Sequence, residues 1–137
     1  MGEALEDIPT MAGSIFVAAA PPTTWPLDMA GLEGQLRARW PEVHTAARHS
    51  SATEVDYLAF EADLAGERRH GAYFEHMYLL LEDGTPEFWA ETISWFLALL
   101  PDDAEVVCMT EAVPEPVSMP RHADPDQIVS VLESLRA

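Results

Sequence analysis

The chain has almost no cysteine, no lysine and no long apolar run. Cys108 is its single cysteine among 137 residues, which excludes an internal disulfide framework and fits a reducing compartment. No apolar stretch reaches the ~18 residues that a membrane-spanning helix needs. The first residues, Met1-Gly2-Glu3-Ala4-Leu5-Glu6-Asp7, are acidic where a secretory leader is basic. These features point to the cytoplasm. All seven basic residues are arginine. With the abundant alanine, that bias matches a bacterium with a GC-rich genome.

Positive charge is correspondingly scarce. Twenty-four carboxylates against those seven arginines give a formal charge of −17, and ten of the seventeen net charges fall between residues 81 and 137. Such a field repels nucleic-acid phosphates and anionic membranes and draws in basic partners. It also keeps a monomer soluble.

The length and 48% hydrophobic content suit one domain, able to bury roughly 68% of the surface of its unfolded chain. Residues 1 to 12 show no apolar period and read as a tail; residues 13 to 137 read as the domain. Ile15 to Ala20 is a short apolar run before Pro21 and Pro22, as in a central strand buried on both faces. Met29, Leu32, Leu36 and Trp40 recur at helical spacing before Pro41. From Val43 the period is two, and again from Tyr57 to Leu64. Arg69 to Glu82 reads as a further strand with a bulge or break near Glu75-His76. A three-residue loop, Ala65-Gly66-Glu67, would set Phe60 opposite Ala72, Leu58 opposite Phe74 and Asp63 opposite Arg69.

Thr85 followed by Pro86 and Glu87 opens a strongly apolar helix that ends by Pro101. Val106 to Met109 is a buried strand, and Glu111 to Ala123, with three prolines, is irregular. Asp124-Pro125-Asp126-Gln127 is a capping box for a last helix. The order β-α-β-β-β-α-β-α predicts an α+β two-layer sandwich. Its sheet would be mixed but mostly antiparallel, with about five strands and the helices mainly on one face.

Spacing argues against several chemistries. His44 and His49 fall on opposite faces of a strand, and His70 and His76 lie about 20 Å apart on an unbroken one, so no metal is expected. Cys108 sits between apolar neighbours without a cation to activate it. Gly31-Leu32-Glu33-Gly34 lies within a helix and lacks the neighbouring lysine of a phosphate loop. Neighbouring carboxylates are common by chance in so acidic a chain. No catalytic group and no cofactor are expected.

Binding is the preferred reading. On the expected register the outer sheet face carries Tyr57, Glu61 and Asp63 on one strand and Arg69, Tyr73 and Glu75 on the next, while Trp25 lies in a loop. Amphipathic rings at such positions commonly anchor contacts. The expectation is a non-enzymatic acidic domain that binds a basic protein or a second copy of itself. An inhibitor or immunity-like protein for a basic toxin is one form of it. The alternatives are a small ligand-binding domain or enzyme with a pocket near Asp56, Phe74 and His76, and a homodimeric scaffold. Neither nucleic acid nor membrane is an expected partner.

Overall fold

The computed structural model describes residues 14–20, 22–52, 54–64, 66–82, 85–110, 115–120 and 122–135. The tail expected over residues 1 to 12 lies outside them. The described elements run β1 (Ile15–Ala19), α1 (Met29–Arg39), β2 (His44–Ser50), β3 (Val55–Leu64), β4 (Glu67–Phe74), β5 (Tyr78–Leu81), α2 (Pro86–Leu97), β6 (Val106–Thr110), β7 (Val117–Met119) and α3 (Pro125–Glu133). The seven strands form one sheet in the order β2-β3-β4-β5-β1-β6-β7. Every pairing is antiparallel. The fold is α+β, and among the described residues the sheet has seven strands in place of about five and no parallel pair.

Two regions account for the extra strands. The run from residue 69 to 82 breaks at Glu75-His76, one of the two forms expected there, so that it makes two strands instead of one. It folds back through Glu75-His76-Met77 into the hairpin β4-β5, with Phe74 opposite Tyr78. His76 takes the left-handed conformation at φ 68°, a cost for a side chain with a Cβ. Trp25 offsets it: the Trp25 N–H donates to the His76 carbonyl at 3.1 Å, and the His76 ring lies 2.7 Å from the Trp25 carbonyl through Nδ1. Within the proline-rich segment expected to be irregular, Val117–Met119 forms the edge strand β7, where nearby prolines cost no ladder hydrogen bonds.

The β3-β4 register is one residue from the expected one. Leu64 pairs with Glu67, Asp63 with Arg68, Phe60 with Gly71 and Leu58 with Tyr73. The connection is therefore two residues instead of three, with Gly66 at φ 83°, a conformation that glycine adopts without steric cost. The pairing across Gly71 is also steric. A Cβ there would collide with the Phe60 ring, at 2.8 Å from Cε1, and would stand 3.0 Å from the Leu80 carbonyl oxygen.

Burial alternates along the strands. Ile15, Val17, Leu58, Phe60, Tyr73, Leu79, Leu81 and Cys108 join the helix residues Leu32, Leu36, Trp89, Ile93, Phe96, Ile128 and Leu132 in one core. Trp25 is buried in that core rather than displayed on a loop, stacked at 6.5 Å on Tyr73 and edge-on at 5.5 Å to Phe96. Strand β1 is buried along one parity only, not on both faces.

The helix ends follow their local chemistry. Asp28 caps α1 by accepting from the Gly31 N–H, a cap the sequence reading passed over. Thr85 caps α2 and accepts from the Phe88 N–H. Asp124 and Gln127 form the reciprocal capping box of α3. No described helix is long and apolar enough to cross a membrane.

Candidate functional site

Strand side chains of the opposite parity stand outside the core. The registers arrange them in rows that cross the strands. One row runs Arg48, Tyr57, Phe74, Tyr78, Ala18, Val107 and Ser118 from β2 to β7. The next runs Ala46, Ala59, Ala72, Leu80, Phe16 and Met109. A third runs His44, Glu61 and His70 and reaches Glu82, whose N–H donates to the His70 carbonyl at 3.1 Å. None of the apolar members of these rows belongs to the core cluster.

The rings form a continuous strip. Tyr57 stacks on Phe74 at 4.7 Å, Phe74 on Tyr78 at 4.5 Å, and Tyr78 meets Phe16 tilted at 5.9 Å. These contacts span β3, β4, β5 and β1. Cross-strand aromatic pairs stabilise a sheet locally, and here they leave each ring half-buried. Met77, in the turn between β4 and β5, is 42% exposed.

Beside the strip lies a depression of about 400 Å³, within the range of small-molecule sites. Its floor is the alanine row, one wall is Tyr57 with Arg48, and the other is His44, Glu61, His70 and Glu82. The His70 ring meets Glu61 at 2.9 Å. That hydrogen bond, helped by the charge of Arg68, holds the Glu61 carboxyl below the usual carboxylate range. Arg68 also bonds Asp63 at 2.8 Å.

The residues singled out from the sequence are divided by the register shift. Tyr57, Glu61 and Asp63 lie on this second face. Tyr73 and Arg69 belong to the other parity. Tyr73 is fully buried and donates its hydroxyl to the Leu27 carbonyl at 2.7 Å, and Arg69 covers the Phe88 ring at 4.6 Å and pairs with Glu67. Glu75 has left the strand and accepts the Met29 N–H at 2.8 Å, at the start of α1. Of the alternative pocket residues, Asp56 pairs with His49 at 2.8 Å, Phe74 is in the aromatic strip, and His76 is exposed in the turn. Phe16, Tyr78, Arg48 and the alanine row were not singled out, and His44 was weighed only as a metal ligand. The alternation Phe16, Ala18 against Ile15, Val17, Ala19 was the available signal for the first of them.

Cys108 is buried, and burial pushes its thiol up to about 11, away from nucleophilic use. Among the described residues no group of three His, Cys, Asp or Glu side chains is arranged to hold a metal ion. No family model, curated protein or solved structure matches the chain.

Proposed function

We propose that the helices form one layer over the core face of the sheet, and that the other face is the docking surface of a non-enzymatic protein-binding domain for a basic partner. The supporting observation is the four-ring strip of Tyr57, Phe74, Tyr78 and Phe16, continued by Leu80, Val107 and Met109 and left outside the core. Aromatic and methionine side chains are enriched in interface centres. A net charge of −17 favours a cationic partner in both encounter and orientation and disfavours a second copy of the same chain.

The test pairs the native chain with a Phe16→Ser, Tyr78→Ser variant as bait in an extract of the source organism. The variant's thermal transition is recorded to show that it folds. The expected result is a basic protein held by the native chain, lost with the variant and weakened by salt. Equal capture by the variant, or a partner indifferent to salt, would refute the reading. Light scattering that shows a stable homodimer through this face would refute it too.

A further inference from the structure

We propose that the trough over Ala46, Ala59 and Ala72 is a binding site for a small planar carboxylate. Three features of the described structure converge on it.

The first is shape. Ala46, Ala59 and Ala72 are direct cross-strand neighbours on β2, β3 and β4. Each is flanked two residues away on either side by larger side chains: Ala46 by His44 and Arg48, Ala59 by Tyr57 and Glu61, and Ala72 by His70 and Phe74. At ~3.3 Å per residue the two walls stand about 13 Å apart between Cα atoms. Methyl groups between such walls leave a flat apolar slot wide enough for an aromatic ring. Ala72 is only 7% exposed and lies outside the main core cluster, so the floor of the slot is sheltered from water.

The second is the aromatic wall. Tyr57 is held against Phe74 at 4.7 Å, which fixes its ring at the edge of the slot. A ligand ring lying on the alanine methyls meets a preorganised aromatic side chain and needs little side-chain ordering to bind.

The third is charge. Five arginines fall within the described residues. Arg37 pairs with Glu33, Arg39 with Glu91, Arg68 with Asp63 and Glu61, and Arg69 with Glu67. Arg48 alone has no carboxylate partner among the described residues, in a chain where carboxylates outnumber arginines 24 to 7. It stands at the open β2 end of the slot, with His44 across the slot on the same strand. A guanidinium so placed suits a carboxylate, which it grips through two parallel N–H donors. Glu61 does not compete for it, because that carboxylate is occupied by His70 and Arg68.

The ligand class is therefore an aromatic or otherwise planar ring bearing one carboxylate. The slot shares Tyr57 with the docking strip but neither Phe16 nor Tyr78 lines it, so the Phe16→Ser, Tyr78→Ser variant and the Ala59→Leu variant test the two readings independently. Benzoate and indole-3-acetate serve as probes at millimolar concentration, with benzylamine and acetate as controls. Binding is followed by backbone amide NMR shifts on the native chain and on two variants, Ala59→Leu, which fills the slot, and Arg48→Gln, which removes the charge. Neither side chain belongs to the core.

The expected result is saturable shifts clustered at Ala46, Ala59 and Ala72 with the carboxylate rings only. They should be abolished by Ala59→Leu and weakened about fivefold by Arg48→Gln, the loss of one exposed ion pair. Absence of shifts with both carboxylate rings would overturn the proposal. So would an equal response to benzylamine, shifts centred elsewhere, or unchanged binding in Ala59→Leu.

Discussion

Removing one oxygen atom at Tyr73 distinguishes the observed sheet register from its one-residue alternative. In the structure the Tyr73 ring is fully buried between Trp25 and Phe96. Its hydroxyl donates to the Leu27 carbonyl at 2.7 Å and accepts the His76 N–H at 3.3 Å. One atom thus ties the chain before α1, the strand β4 and the β4-β5 turn together. Tyr73→Phe keeps the ring contacts and leaves a carbonyl and an amide without their partner. Such a loss costs about 1 to 3 kcal/mol. For a chain of this size that lowers the melting temperature by roughly 4 to 10 °C.

The same group provides a second signature. Burial pushes the Tyr73 hydroxyl up from 10.0 to about 12, with the His76 amide hydrogen bond partly opposing the shift. A tyrosine whose folded value is raised is neutral in the fold. It adds stability that is complete below pH 10 and is lost as pH climbs toward 12, on the order of 3 kcal/mol. Urea unfolding of the native chain and Tyr73→Phe at pH 7 and pH 11 measures both quantities. The variant should be weaker at pH 7 and should lose less stability on going to pH 11. If Tyr73 faced water, the substitution would change stability by less than about 0.5 kcal/mol and leave the alkaline slope unaltered, which would refute the register and the core built on it.

Other perturbations address separate parts of the structure. Gly71→Ala forces a methyl into the Phe60 ring and the Leu80 carbonyl and should cost about 1 to 3 kcal/mol by overpacking, read from the shift of the urea midpoint. Glu33 and Glu61 are held below the usual carboxylate value, chiefly by hydrogen bonds from Thr45 and His70 respectively. A lowered carboxylate adds stability that is present above its unfolded value and lost as pH falls through the folded one, so melting temperature should drop on acidification below about pH 4.5. Glu61→Gln should flatten that drop.

The helices were legible because their signals are local. Thr85-Pro86 and Asp124-Pro125-Asp126-Gln127 carry their cap donors and acceptors within four residues, and both caps form as expected. Register was not local. Asp63 finds a guanidinium in either frame because Arg68 and Arg69 are adjacent, so ion pairing had no power to choose. The choice rests on the Phe60 ring needing a residue without Cβ opposite it, at Gly71. The His76 turn carries no glycine or asparagine to announce it and is held by Trp25, fifty-one residues away.

The candidate site was legible only in part for the same reason. Tyr57, Glu61 and Asp63 share one strand, and simple alternation places them together. Their neighbours depend on the register. With Tyr73 turned outward in the expected frame, Phe74 went into the core and the aromatic strip could not be seen. The alanine trough needs three strands in register before it exists at all.

Hydroxyl-radical footprinting tests most directly whether the sheet face that carries Tyr57, Phe74 and Tyr78 is the docking surface. The free chain and its captured complex are labelled side by side, and the modified residues are mapped. Protection on binding should fall on Tyr57, Tyr78 and Met109, while the exposed side of α2 around Glu87 and Glu91 stays reactive or unchanged. Protection confined to α2, with Tyr57, Tyr78 and Met109 labelled equally in both states, would contradict the account.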